Sequence, residues 1–187
     1  MTRIIAGVHG GRRLAAPAGV LTRPTSDRVR EALFSTLEAM TELSGARFAD
    51  LYAGSGAVGL EALSRGASHA LLVESDGRAA RTIRDNIVAL RAGTAARLVT
   101  GKVAQVLGSP PGDGPYDVVF ADPPYAVESD ELARLQEALV ENDWLAPDAV
   151  VVLERATRAP ALSWVDGVTA ERSRRYGETT LWYGRRS

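Results

Sequence analysis

The chain has 187 residues, ordinary apolar and charged fractions and a formal net charge of −1, so its length favours one domain with a substantial core. It has no cysteine and only two histidines, His9 and His69, which excludes disulfides and cysteine nucleophiles and argues against a metal centre. No apolar run approaches a membrane span, and Met1-Thr2-Arg3-Ile4-Ile5 lacks the long apolar region of a signal peptide, so the expected location is the cytoplasm.

The near-neutral total hides an uneven distribution. Residues 1–30 hold six arginines against one acid, Asp27, and residues 172–187 hold five against Glu178, leaving an acidic middle. Basic ends predict an anionic partner on one side of the molecule, provided the ends meet in space. Lys102 is the sole lysine.

In chain order, Arg3 to Ala6 and Arg13 to Ala16 read as two strands of a hairpin with a glycine-rich, basic tip over residues 7–12. So short a ribbon must lean on the body. Pro17, Gly19 and Pro24 mark a loop, after which Thr25 or Ser26 caps a helix. There Val29, Leu33, Leu37 and Met40 form a stripe with Ala32, while Arg28, Arg30, Glu31 and Glu38 are expected off it. Gly45 ends this segment.

Strands and helices then alternate. Phe48–Tyr52, Ala70–Glu74, Arg97–Thr100, Tyr116–Ala121 and Ala149–Glu154 read as strands; Val58–Ser64, Gly77–Arg91 and Glu131–Glu141 read as helices, with a helical turn over Val103–Leu107. The pattern predicts an α/β fold, a mainly parallel sheet with helices on both faces. The tail differs: Val168–Arg174 and Thr179–Gly184, joined by Tyr176-Gly177-Glu178, read as an antiparallel hairpin closing the sheet edge.

Two stretches carry chemistry. In Asp50-Leu51-Tyr52-Ala53-Gly54-Ser55-Gly56-Ala57-Val58-Gly59, between a strand and a helix, the glycines permit close approach of a ligand to backbone, and Glu74 ends the next strand where it can grip ribose hydroxyls. A dinucleotide and S-adenosylmethionine both fit this spacing. Asp50 tips the choice, because an acid there repels pyrophosphate and suits the ammonium of S-adenosylmethionine. The second stretch is Asp122-Pro123-Pro124-Tyr125. Neither proline can continue a sheet ladder, so a carboxylate, a fixed carbonyl and an aromatic ring are held at one strand end. Alone this is equally a rigid turn with a core Tyr. Beside the glycine loop it reads as a clamp for an amino group on a flat ring.

These residues resemble the S-adenosylmethionine-dependent methyltransferases that act on exocyclic amines of nucleic-acid bases. More narrowly, Arg3-Ile4-Ile5-Ala6-Gly7, Gly11-Arg12, the segment Arg23-Pro24-Thr25-Ser26-Asp27-Arg28-Val29-Arg30-Glu31-Ala32-Leu33-Phe34, and Tyr176-Gly177 with Thr179 and Leu181 resemble the RsmD family of small-subunit (16S) ribosomal RNA guanine-N2 methyltransferases. The resemblance covers essentially the whole chain and is most specific over residues 23–34. It implies a Rossmann-like class I methyltransferase fold, with a seven-stranded, mainly parallel sheet and an antiparallel last strand. A basic hairpin extension would occupy residues 1–24 and the methyltransferase domain residues 25–187.

The expected catalytic residues are Asp122, Pro123, Pro124 and Tyr125. The expected cofactor-binding residues are Asp50, Tyr52, Ala53, Gly54, Ser55, Gly56, Glu74, Ser75, Lys102, Val103 and Asp122, with Thr25. Arg3, Arg12, Arg13, Arg23 and Arg28 are the expected contacts to ribosomal RNA, within a small-subunit particle; a monomer without metal is expected. One position departs from related enzymes. Lys102 stands roughly where they often place Asp or Asn against the adenine amine, and lysine cannot accept that hydrogen bond, so adenine recognition falls to backbone near Lys102 and Val103. The rivals are a DNA adenine-N6 or cytosine-N4 methyltransferase, a nicotinamide-dependent oxidoreductase, and a non-catalytic RNA-binding assembly factor.

Overall fold

A computed structural model describes residues 2–17 and 26–187. Arg23, Thr25 and the loop markers Gly19 and Pro24 lie outside the described residues.

The N-terminal hairpin is shorter than the sequence pattern predicts. Strands β1 (Thr2–Arg3) and β2 (Arg13–Leu14) pair antiparallel over two residues each. The expected extensions fail because their backbone groups go to side chains of the body. Ile5 and Ala6 donate their N–H groups to the Glu61 carboxylate (2.8 and 3.0 Å), and Ala15 exchanges both its backbone groups with the Asn86 amide (2.8 and 3.0 Å). The ribbon does lean on the body: Ile4 and Leu14 are buried against Ala57, Leu60, Leu72 and Ile83.

Helix α1 (Asp27–Met40) starts where predicted, with the Ser26 hydroxyl accepting from the Val29 N–H. Its buried stripe is Val29, Leu33, Phe34 and Leu37, and it contains Arg30, which corrects the expectation that Arg30 stays off it. The cause is a partner far along the chain. Arg30 Nε lies 3.5 Å from the fully buried Glu61 carboxylate, and the Arg30 guanidinium also donates to the Arg3 carbonyl. A buried charge is tolerated when it is paired and hydrogen-bonded.

The body alternates as expected: β3 (Arg47–Leu51), α2 (Ala57–Ser64), β4 (His69–Glu74), α3 (Gly77–Ala89), β5 (Ala96–Thr100), α4 (Val103–Leu107), β6 (Tyr116–Ala121), α5 (Ser129–Glu141), β7 (Leu145–Ala156), β8 (Val168–Tyr176) and β9 (Thr179–Arg186). They form a seven-stranded sheet in the order β5-β4-β3-β6-β7-β9-β8. The first five are mutually parallel, and β9 runs antiparallel to both its neighbours. The last strand therefore sits inside the sheet, leaving β8 at the edge.

Alternation along the strands builds two apolar layers. Phe48, Val118, Phe120, Val150 and Val152 meet α1 and α2, while Ala70 and Leu72 meet α2, α3 and the hairpin. On the other face Ala49, Leu51, Val119, Ala121, Val151 and Leu153 meet α4 and α5. No helix among the described residues is long and apolar enough to cross a membrane. The chain order reverses direction between β3 and β6, so a crevice is expected outside their carboxyl ends.

Candidate active site

The glycine loop links the end of β3 to α2. Tyr52, Gly54 and Gly56 all take positive φ (62°, 60° and 83°). A positive φ at a tyrosine is uncommon and marks a tightly specified loop. The turn is fastened by Ala53 N–H to the Val73 carbonyl and Gly56 N–H to the Ala53 carbonyl, and the Asn86 amide donates to the Ser55 carbonyl at 2.9 Å. The glycines differ in purpose. A Cβ on Gly54 would meet nothing within 4 Å, so this backbone faces open space, whereas one on Gly59 would lie 2.9 Å from a Leu72 methyl and 3.2 Å from Asp50 Cβ. Gly59 therefore serves the packing of α2 on the sheet.

Three carboxylates converge around this loop. Glu74 accepts from Gly54 N–H and from Asp76 N–H, each at 2.8 Å, which fixes its plane while each oxygen keeps a second lone pair. Asp50 is nearly sealed, at 1% exposure, and accepts from Gly59 N–H at 2.9 Å in the first turn of α2. Burial raises its pKa well above the usual carboxylate range, the Gly59 bond opposes this, and the charges of Asp122 and Glu74 add to it. Asp50 is thus both a cap for α2 and an acid set beneath the loop. Asp122 follows the end of β6, one residue past the Ala121–Leu51 pair. Burial pushes its pKa up to about 7. Among the described residues no arginine or lysine pairs with Asp50, Glu74 or Asp122.

After Asp122 the chain turns away. Pro123 is half-buried, Pro124 is exposed, and Tyr125 is 63% exposed, rare for so large an apolar residue. The alternative of a core Tyr is thereby removed. Asp122, Pro123, Pro124 and Tyr125 line a small hollow with Glu154, Arg155 and Thr179.

The remaining predicted residues scatter. Ser75 is exposed just past Glu74, and Lys102 is exposed as the N-cap of α4 without a side-chain capping bond. Val103 points its side chain into the core. Arg3 pairs with Asp27 at 3.1 Å, and Arg12 donates to the Ala89 carbonyl at the end of α3 (2.7 Å). Arg13 and Arg28 are exposed at the surface. Among the described residues the hairpin packs on α2 and α3, while β8 edges the far side of the sheet and the start of α1 shares a core cluster with Tyr176 and Leu181.

Residues that sequence reasoning missed are those that fasten the hairpin. Glu61 also accepts from Arg65 Nε at 2.9 Å, and the Ser64 hydroxyl bonds the Ala6 carbonyl and the His9 N–H (2.6 and 2.9 Å). The available signals are a lone acid in the otherwise small and apolar α2, and Asn86 on the Ile83–Ile87 stripe of α3.

Comparison with known proteins agrees with this geometry. The family model described as conserved hypothetical protein 95 matches residues 2–185. The chain is 40% identical over 152 residues to the ribosomal RNA small subunit methyltransferase D of Escherichia coli K12, covering 81% of this chain and 73% of that protein. The solved structure of yhhF from Escherichia coli superposes with a TM-score of 0.85 at 34% identity, over 99% of this chain and 97% of that one. At 17% identity the magnesium protoporphyrin IX methyltransferase ChlM of Synechocystis PCC 6803, solved with bound SAM, shares the fold alone (TM-score 0.66, over 86% of this chain and 79% of that one). With its class I methyltransferase sheet and its match along nearly the full length, the chain belongs to the conserved hypothetical protein 95 family, the RsmD family.

Proposed function

We propose that the protein transfers a methyl group from S-adenosylmethionine to the exocyclic 2-amino group of a guanine in small-subunit ribosomal RNA, in the cytoplasm and as a monomer. The observation that carries this reading is Asp122: a carboxylate held by burial near neutrality, facing a hollow walled by two prolines and an exposed tyrosine. The name of the Escherichia coli relative supports the RNA target, and the fold shared with a SAM-bound enzyme supports the donor.

The residues present fit that donor. Gly54 leaves room against the loop backbone, the oriented Glu74 has lone pairs for two ribose hydroxyls, and Asp50 and Asp122 place two acids, neither in an ion pair with a described arginine or lysine, where a cationic ligand would sit. Tyr52, Ala53, Ser55, Gly56 and Ser75 would shape the same cradle, with the Lys102–Val103 backbone toward the adenine, and Thr25 would also serve the donor. The bound donor supplies a methyl on a sulfonium, and the sulfur keeps the bonding pair when the methyl moves to nitrogen.

The chain's own residues do the rest. The guanine amine is a poor nucleophile because its lone pair is delocalised into the ring. Asp122 and the Pro123 carbonyl accept its two hydrogens and favour a pyramidal nitrogen with its lone pair directed at the methyl. Tyr125 stacks on the base, which must be splayed out of any helix to reach this strand end. The nitrogen then gives up one proton, and a carboxylate with a pKa of about 7 is matched to take it. Alignment and electrostatics supply most of the acceleration. The prolines hold the clamp rigid, and Arg3, Arg12, Arg13, Arg23 and Arg28 meet RNA phosphates.

The test is tritiated methyl transfer to unmodified small-subunit particles, naked ribosomal RNA and DNA, followed by mass-spectrometric mapping in cells lacking the protein. Label in guanine N2 of small-subunit RNA is expected; label confined to DNA overturns the reading.

A further inference from the structure

Beyond Tyr125 lies a second hollow that the proposed chemistry does not use. A cavity of about 500 Å³ opens between Tyr125, Thr157 and Arg158 after β7, and Arg175 and Gly177 at the β8–β9 turn. Its size falls among pockets that enclose small organic ligands, roughly 300–1,000 Å³. The hollow lined by Asp122 is far smaller, about 40 Å³, and shares Tyr125 and Ala156 with it. Tyr125 is thus a common wall, with Asp122 on one side only.

The walls are tied together in advance. Thr157 donates its N–H to the Glu178 carbonyl at 2.7 Å, and its hydroxyl bonds the Gly177 carbonyl and the Thr180 hydroxyl at 3.0 and 2.9 Å. Arg175 Nε donates to the same Gly177 carbonyl at 3.1 Å. Arg158 and Arg175 are both exposed at the rim, against the single acid Glu178 in the lining.

We infer that this cavity receives the nucleotide adjacent to the target guanine in the same RNA strand, its base beyond Tyr125 and its phosphate on Arg158 and Arg175. The inference rests on the RNA methyltransferase reading. The reacting nitrogen must come within hydrogen-bond reach of Asp122, which lines only the small hollow, so what fills the larger one is chain continuing past the ring. A splayed-out single strand offers a flat base for the aromatic wall and an anion for the two guanidiniums. Both arginines lie toward the basic C-terminal end of the chain, to which the amine chemistry gives no part.

The test measures equilibrium binding of a fluorescein-labelled small-subunit RNA fragment at roughly 50 to 200 mM salt, alongside methyl transfer. Arg158→Ala/Arg175→Ala should weaken RNA binding about tenfold or more and reduce the magnitude of the log K against log salt slope by roughly 1.4, about 0.7 for each single-strand phosphate no longer neutralised. KM for RNA should rise with kcat and S-adenosylhomocysteine affinity little changed, and the double lysine variant should restore most of the binding. An abasic residue beside the mapped methylation site should cost the wild type several-fold in affinity. Wild-type affinity and salt slope in the double alanine variant overturn the phosphate half, and equal affinity for abasic and intact RNA overturns the base half. If wild-type protein methylates no RNA, the activity reading fails and takes this inference with it.

Discussion

The two ends of the central sheet treat acids in opposite ways. At the amino ends of β3, β4 and β5, Asp113 is surrounded by Arg47 (3.2 Å), His69 (3.3 Å) and Arg97 (3.6 Å). Tyr116 lies against the same group, under the Arg47 guanidinium at 4.8 Å and stacked on Trp144 at 5.8 Å. Desolvation pushes the Asp113 carboxyl up, but the hydrogen bond and charge of Arg47 outweigh it and hold the group below the usual range. At the carboxyl ends Asp50, Glu74 and Asp122 meet no described cation, and burial drives Asp50 and Asp122 upward. Compensated charge marks scaffold; charge left uncompensated marks a place built for a partner that brings its own.

Four measurements bear on that contrast. The largest effect belongs to Asp122→Asn, which should lower kcat on RNA by about 10²–10⁴-fold with S-adenosylhomocysteine affinity retained by calorimetry and no fall in Tm. Near-normal turnover would remove Asp122 from the chemistry.

Next comes Gly59→Ala, whose new methyl must displace Leu72 or Asp50. Denaturant unfolding should report a loss of about 1–3 kcal/mol from overpacking. An unchanged midpoint would mean that the Asp50 cap tolerates a shifted α2.

The third is pH. With Asp122 at about 7, kcat/KM should be several-fold to roughly tenfold lower at about pH 6 than at about pH 8, a dependence that Asp122→Asn abolishes. Stability should run the other way. A raised carboxyl pKa means that the folded protein binds the proton more tightly, so the contribution of Asp122 falls as pH rises from about 4 to about 7. His69, lowered chiefly by burial, opposes this slope below the ordinary histidine value of 6.5, because a depressed histidine favours folding as pH rises. The difference between wild type and Asp122→Asn isolates the Asp122 part. Asp113 works at the acid extreme, where its stabilisation is lost as pH falls below about 4.

The smallest is Asp113→Ala, which should cost about 1 kcal/mol, or about 2–4 °C in Tm, with methyl transfer unchanged. Loss of activity without loss of stability would dissolve the division between the two ends.

Most of this architecture is legible because each strand is a short apolar run and each helix a stripe. Tyr116–Ala121 and Val103–Leu107 read off with their observed bounds. β7 starts at Leu145, ahead of the expected Ala149, because Pro147 and Asp148 look like a break; the strand passes them through a register shift, with Asp148 at φ 62°. Glu74 and Asp122 are legible as polar ends of apolar strands. The Asp50 bond to Gly59 is not, because the chosen acceptor depends on how closely α2 descends on the sheet. Nor is the larger cavity, which exists only because β9 threads between β7 and β8 and carries the Gly177 turn to Thr157. Of the long-range pair Arg30 with Glu61, the lone acid in α2 is a local signal, but nothing local names its partner.

The mooring of the hairpin on Glu61 has a consequence in time. Synthesis proceeds from the amino end, yet the acceptors for Ile5 and Ala6 lie on Glu61, and that for Ala15 on Asn86. The basic hairpin is made before Glu61 and Asn86 and must wait for both before it can be fully fastened, so a segment made ahead of its partners is among the later parts to settle.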